Sequence, residues 1–259
     1  MSEQAVERML PLYEAKMIHH YDHRWATYEP DGSIRNATLA EKQDPDFVVQ
    51  PRYWVREAVV DGALAGAQDL PWMVGVRDIC RSTDERTVIS SLFPRSAVGN
   101  NLPVVLEASQ PKLLTAVLSS FALDFVARPK VGGVHLNFFI ANQLPVLPPA
   151  VFELACTWSP HEPTGDWIAR RVDALMGGTW NQYRPHIRAE LDSAMFHLYD
   201  LLRADVDYIM EAFPIVKRKD EAAYGEFRTK RLILDVYDQM AEAIATGTTY
   251  RSSFDEELE

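Results

Sequence analysis

Residues 72–93 read WMVGVRDICRSTDERTVISSLF, and this stretch decides the fold class. Its two ends, 72–80 and 86–93, are rich in Val, Ile, Trp and Phe, which favour strands. The polar segment 81–85 (RSTDE) links them, so the pattern predicts two neighbouring antiparallel strands. Residues 102–107 (LPVVLE) predict a third strand in the same half of the chain.

The next long segment, 111–128, has apolar residues at helical spacing almost all round, which predicts a buried helix that Pro129 ends. After the stiff stretch 144–149 (LPVLPP) the pattern becomes helical. We therefore expect an α+β fold, with a mixed α/β domain containing antiparallel strands at 1–148 and a helical subdomain at 149–259. The helices predicted in that subdomain are 185–203, 204–213 and 220–246.

Three shorter elements are predicted before the central strands. The aromatic-rich residues 17–29 suit a strand or an ordered arm, and the polar stretch 29–46 separates them from the rest. Residues 51–55 (PRYWV) predict a short extended piece, and residues 56–66 have the spacing of a short helix.

The charge of the chain limits its partners. Its 26 basic and 37 acidic side chains give a net charge of −11, which argues against a protein that coats nucleic acid. The acidity is uneven, because residues 151–259 carry 12 basic and 20 acidic side chains, whereas residues 77–143 carry seven and five. If the protein binds an anion, the middle of the chain is the expected place.

We expect neither a membrane protein nor a protein stabilised by disulfides. The sequence has no run of eighteen apolar residues and no apolar segment near its N-terminus, so we expect neither a transmembrane helix nor a signal peptide. Cys80 and Cys156 are isolated in apolar settings, which is typical of a cytoplasmic protein without a disulfide framework or a zinc site.

Two polar blocks in the middle of the chain are the candidate binding residues. Arginine presents a rigid fork of donors that matches phosphate oxygens and the edge of guanine, and short hydroxyl side chains also bind phosphate. Adjacent glycines let the backbone approach a ligand closely. The alternative is a set of surface ion pairs. The candidates are Arg77, Arg81, Ser82, Thr83 and Arg86 in the first block, and Arg128, Lys130, Gly132, Gly133, His135 and Asn137 in the second.

Other motifs favour their structural interpretations. Among His19, His20 and His23 only the first and third have the i, i+4 spacing of helical metal ligands, and no third ligand is evident, so we expect no metal site. Lys16 would complete a nuclease signature, but too little chain precedes it to supply the aspartate that holds Mg²⁺. Residues 216–220 (VKRKD) are either a phosphate contact or a solvated helix start.

The same blocks resemble a known family. Segments 11–29, 51–55, 74–100, 124–149 and 213–238 together are similar to the C-terminal region of large adenine-specific DNA methyltransferases of restriction–modification and phage-defence systems, including type IIG enzymes. The resemblance implies a target-recognition domain that grips double-stranded DNA while the catalytic part flips out the target adenine. It implies that the two blocks bind DNA.

The departures from that family concern catalysis. No glycine-rich cofactor loop is visible, and Pro148-Pro149 follows Leu147 where the catalytic loop needs Asn or Asp. We therefore expect no cofactor in this chain and no methylation by it alone. S-adenosylmethionine would be bound by a partner methyltransferase domain or subunit, and this chain would be a fragment, a split subunit or a remnant. Pro129 also departs from the pattern, because it fixes the backbone and removes a donor in the second block.

Two rival hypotheses remain. An assembly subunit of a defence complex, with no DNA role, would pair the arginines of 77–95 with Asp78, Asp84 and Glu85. A free-standing nuclease would need a pair of carboxylates converging near Lys16.

Overall fold

Antiparallel strands in the first half and helices in the second make this an α+β fold, as the sequence predicts. The structure is a computed structural model, and it describes residues 7–67, 71–177, 183–252 and 255. Its strands are β1 (Met9–Tyr13), β2 (Ala26–Tyr28), β3 (Ile34–Asn36), β4 (Trp54–Arg56), β5 (Trp72–Val76), β6 (Ser90–Pro94), β7 (Ala97–Val98), β8 (Val104–Val105), β9 (Ala155–Cys156) and β10 (Ser159–Pro163).

Helices surround these strands and make up most of the second half. They are α1 (Leu39–Gln43), α2 (Glu57–Ala63), α3 (Pro111–Ser119), α4 (Phe121–Ala127), α5 (Phe138–Ala141), α6 (Ala150–Glu153), α7 (Thr164–Met176), α8 (Arg184–Leu198), α9 (Arg203–Glu211), α10 (Pro214–Tyr224) and α11 (Arg228–Thr246). Short 3₁₀ turns lie at Ala15–Met17 and Arg128–Lys130.

The central sheet has the order β6-β5-β8, and both of its pairings are antiparallel. The antiparallel pair at residues 72–93 and the third strand at 102–107 were predicted, whereas the pairing of that third strand with β5 was not. Strand β5 is shorter than predicted because the chain leaves the ladder after Val76 and runs irregularly to Ile89. Gly75 is required in β5, since a Cβ there would lie 2.7 Å from Cε1 of Phe93, which is fully buried. The polar first block therefore forms a long loop and not a strand extension.

A second sheet holds the N-terminal residues. Strand β1, which the sequence analysis missed, pairs antiparallel with β4 and parallel with β7, while β2 and β3 form a separate hairpin. The aromatic arm predicted at 17–29 is strand only in β2. Its earlier part is ordered by burial, because Ile18, His20 and Tyr21 are almost fully buried.

Two predicted helices are each interrupted, the first at one residue and the second over three. The helix predicted at 111–128 breaks at Ser120, whose backbone is extended and whose hydroxyl accepts a hydrogen bond from the Leu123 N–H at the start of α4. The helix predicted at 220–246 is α10 and α11, separated by Gly225 in the left-handed conformation (φ 76°). The hairpin β9–β10 is a further difference, since we expected only helices after residue 149.

The main hydrophobic core joins both halves of the chain. It contains Val74 and Phe121 from the first half with Trp158, Trp167 and Phe196 from the second. A smaller cluster beneath the N-terminal sheet includes Tyr13, Met17, Phe93 and Leu102. The domain boundary near residue 148 stays a prediction.

In the described part of the chain, no helix combines the length and apolar character needed to cross a bilayer.

Candidate functional site

The two candidate blocks, about fifty residues apart in the sequence, are neighbours in space. Ile79 and His135 form an antiparallel bridge. The Cys80 N–H donates to the Val134 carbonyl at 3.1 Å, and the Leu136 N–H donates to the Asp78 carbonyl at 2.7 Å. The structure therefore joins the irregular loop after β5 to the glycine loop before α5.

Arg86 of the first block lies in the protein interior. Its side chain is 4% exposed, and its Nε donates to Oδ2 of Asp124 at 2.6 Å. Its Nη2 donates to the Ser119 carbonyl at 2.7 Å, and its guanidinium lies 3.9 Å from the centre of the Phe121 ring. This arginine holds the loop against α4, which is a structural role, and its contact with DNA stays a prediction.

Arg77 and Arg128 are also turned towards the protein. Both Nε and Nη2 of Arg77 donate to the Ile18 carbonyl, and burial lowers the pKa of its guanidinium to about 10. Arg128 donates through Nη2 to the carbonyls of Asp84 and Glu85 at 2.5 and 2.8 Å, and burial lowers its pKa as well. These two side chains fix the loop from either side, which is a positioning role.

His135 and Asn137 have local partners. His135 Nδ1 lies 2.7 Å from Oδ2 of Asp78, across the bridge between the blocks, and its side chain is half exposed. The side-chain oxygen of Asn137 accepts a hydrogen bond from the Ile140 N–H at 3.0 Å and caps the short helix α5. His135 can still present one ring nitrogen to a ligand, whereas the Asn137 amide oxygen is engaged.

The other candidates lie at the surface. Arg81, Thr83 and Lys130 are exposed, and the side chains of Arg81 and Lys130 make no hydrogen bond or ion pair with the residues that the structure describes. Ser82 is half-buried. At Gly132 and Gly133 an added Cβ would meet no atom within 4 Å, so the backbone there is open to an approaching ligand. We call residues 79–84 and 130–139 the arginine–glycine edge.

Four exposed apolar side chains on this edge were not predicted. Phe138 and Phe139 are 72% and 77% exposed, and Ile79 and Val134 are about half exposed. A contiguous exposed apolar patch on a monomer often marks a binding surface. The sequence signal was available, because the FF pair follows Asn137 directly, but neither ring was given a role.

Acidic residues near the blocks have partners other than those the assembly hypothesis expects. Asp78 binds His135, and Glu85 binds Lys219 of α10. The Asp84 carboxylate accepts the backbone N–H of Arg81 at 3.0 Å and makes no ion pair with any residue that the structure describes.

The remaining candidates are dispersed. His19 and His20 meet edge to face, while His23 packs against Trp72, and the described residues contain no group of three or more possible metal ligands. Lys16 is exposed. In the basic segment 216–220, which lies within α10, Lys217 and Lys219 pair with Glu211 and Glu85.

Comparison of the chain with protein-family models, with curated proteins and with solved structures gave no match.

Proposed function

We propose that this chain is the DNA target-recognition module of a site-specific adenine methyltransferase of the restriction–modification or phage-defence type, and that its arginine–glycine edge faces double-stranded DNA. The observation that carries the proposal is the pairing of the two blocks through Ile79 and His135. That pairing places two open glycines along one edge with Arg81 and Lys130, whose side chains have no partner among the residues that the structure describes. The edge also belongs to the segment 77–143, the part of the chain with a positive balance of charge.

Each group on the edge has a role in this proposal. Arg81 and Lys130 neutralise backbone phosphates, because both are exposed and neither pairs with an acid in the described part of the chain. Gly132 and Gly133 let the loop backbone enter a groove. The exposed rings of Phe138 and Phe139 provide apolar surface for base steps, as minor-groove wedges do. The interior arginines support the loop rather than touching DNA.

Catalysis belongs to a partner in this account. A methyltransferase domain or subunit binds S-adenosylmethionine and flips out the adenine, and the present chain supplies grip and sequence choice. The system would act in the cytoplasm, where DNA is present. The net charge of −11 opposes approach to DNA, so the isolated chain is expected to bind weakly.

A gel shift at low salt tests the proposal. The wild-type chain should bind a duplex with a Kd on the order of 10⁻⁴–10⁻⁶ M at physiological salt, the range of non-specific binding, and more tightly at low salt. Arg81→Ala and Lys130→Ala should each weaken it. Arg203→Ala is the matched control, because that arginine, at the start of α9, is exposed, pairs with Asp238 and does not belong to the arginine–glycine edge. Tight binding that Arg81→Ala leaves unchanged would overturn the proposal.

The genomic context gives an independent test of the partner. The reading frame immediately upstream should encode an adenine methylase core with an Asn/Asp-Pro-Pro-aromatic loop. If it does, the two chains should copurify and methylate DNA together. A neighbour without that core favours the assembly hypothesis.

One observation favours assembly as the second candidate function. The exposed apolar side chains Ile79, Val134, Phe138 and Phe139 could pack against another protein of a defence complex. This alternative predicts that Phe138→Ala with Phe139→Ala abolishes copurification with the partner while Arg81→Ala has no effect on DNA. The DNA proposal predicts that both changes weaken DNA binding.

A further inference from the structure

A charged cleft lies on a part of the molecule that the proposed function does not use. Its walls are the arm at 19–25, the loop at 85–86, the first half of α8 and the junction of α10 with α11. Its volume is about 560 Å³, which falls within the range of about 300–1,000 Å³ typical of small-molecule sites. The lining changes from buried residues to exposed ones such as Tyr224, which is 56% exposed, so the cleft has an open mouth.

Buried polar atoms in the cleft lining lack partners. His20 is 2% exposed, and neither of its ring nitrogens has a hydrogen-bond partner in the described structure. The same holds for Nη1 of Arg86, although Nε and Nη2 of that side chain are bound. Buried polar atoms are nearly always hydrogen-bonded, so orphaned atoms in a cleft lining indicate a missing partner. A neutral imidazole needs both a donor and an acceptor from that partner.

Two further arginines in the lining form no close ion pair with the described residues, although Asp192 and Glu85 attract Arg188, and Glu226 attracts Arg228, at longer range. Arg188 of α8 makes no hydrogen bond or ion pair with any residue of the described ranges. Arg228 at the start of α11 lies with its guanidinium carbon 4.6 Å from the centre of the Tyr224 ring, and it too has no ion pair within the described ranges. Arginine forks of this kind match the oxygens of a phosphate.

The acidic side chains of the lining are already engaged. Asp22 is bound by Lys42 at 2.7 Å, and Glu85 is bound by Lys219. Asp220 accepts the Thr229 N–H, a backbone donor at the start of α11.

The fourth acid, Asp192, is the deepest. It accepts the Phe121 N–H at 2.9 Å, and burial raises its pKa to about 6. At neutral pH it is still mostly ionised, but an anion bound beside it would raise its pKa further and favour the uncharged form.

We propose that this cleft binds a small phosphate-bearing ligand of mononucleotide size. The phosphate is held by Arg188, Arg228 and the free Nη1 of Arg86. Three donor groups match the several oxygens of a phosphate better than they match the two oxygens of a carboxylate. His20 supplies one donor and one acceptor to the polar edge of the ligand. The exposed Tyr224 ring at the mouth gives a flat surface for a base. The site is independent of DNA binding at the arginine–glycine edge.

Isothermal titration calorimetry with the full chain tests this proposal, using the four nucleoside 5′-monophosphates, adenosine and inorganic phosphate as probes. At least one monophosphate should bind one to one, and adenosine and inorganic phosphate should each bind at least tenfold more weakly. Arg188→Ala should weaken binding at least tenfold, and Arg188→Lys should fall between it and the wild type. Arg203→Ala should bind as the wild type does, because it lies outside the cleft lining.

His20→Phe separates a ligand role from a structural one. The variant removes two orphaned nitrogens at similar volume, so its thermal midpoint without ligand should rise, while its affinity for the monophosphate should fall at least tenfold. Saturable binding of none of the four monophosphates at millimolar concentration would overturn the proposal. Binding that neither Arg188→Ala nor His20→Phe changes would overturn it as well.

Discussion

Removing the carboxylate of Asp124 should destabilise the protein more than any surface change. This side chain is fully buried in α4 and accepts the Arg86 Nε–H at 2.6 Å. It also accepts the Thr87 backbone N–H, at 3.0 and 3.1 Å from its two oxygens, and lies 3.6 Å from Nε of Arg128. One carboxylate thus anchors the loop that carries Arg81.

The cost of Asp124→Ala follows from what it leaves behind. Arg86 would remain buried at 4% exposure without its counter-charge, and breaking a buried pair in this way costs about 3–5 kcal/mol. The variant also leaves the Thr87 N–H without its acceptor, and the free-energy cost of that lost hydrogen bond is included in this figure. Against a typical domain stability of about 5–15 kcal/mol, the variant should be partly unfolded or close to it at 37 °C.

Urea unfolding followed by far-UV circular dichroism measures this cost. Asp173→Ala is the matched control, because Asp173 pairs with Lys112 at the surface, where such pairs contribute about 1 kcal/mol or less. The double variant Arg86→Met with Asp124→Leu should recover most of the loss, since apolar replacement of a buried pair is often neutral. A cost for Asp124→Ala no larger than that for Asp173→Ala would refute the reasoning.

Three further predictions concern other sites. Burial raises the pKa of Asp192 to about 6, so the folded state holds this proton more tightly than the unfolded chain and stability falls as pH rises from about 4 to about 6. Asp192→Asn cannot ionise, so its stability relative to the wild type in urea should increase by about 2 kcal/mol between about pH 4.5 and 7.5; a constant difference would contradict this. Gly225→Ala should cost about 1 kcal/mol in urea unfolding because φ is +76° there. Gly132→Ala adds a Cβ in open space, so it should change the free energy of unfolding by no more than about 0.5 kcal/mol. Equal costs for the two glycine variants would argue against backbone strain at Gly225. Burial raises the pKa of Cys80 to about 11 and of Cys156 to about 12, so a thiol reagent should modify neither until the protein unfolds, and rapid native reaction would disprove it.

The fold class could be predicted from the sequence because the patterns that indicate it are local. The β-rich residues of β5 and β6 and the apolar spacing of α3 and α4 can be read within short windows. The break at Ser120 also has a local signal, since serine before an apolar run is a common helix N-cap, and it was missed because the apolar pattern continues on both sides.

The site was only half predictable because its decisive contacts are long-range. Arg81 and Lys130 are exposed as a binding role requires, but Arg86 is buried against Asp124, 38 residues away in the sequence. The one sequence signal for this buried pair was Asp124, an acid in an otherwise apolar helix, because a buried acid needs a partner. The cleft around His20 joins segments from opposite ends of the chain, so no local pattern could reveal it.

The salt dependence of DNA binding tests the central claim most directly. Fluorescence anisotropy of a labelled duplex should be measured over a salt series with the wild type, with Arg81→Ala plus Lys130→Ala, and with the control Arg203→Ala. Each phosphate contact contributes about 0.9 to the slope of log Kobs against log salt. We predict that the double variant loses about two units of slope and that the control loses none. Equal affinity and equal slope for all three proteins would contradict the assignment of the arginine–glycine edge to DNA.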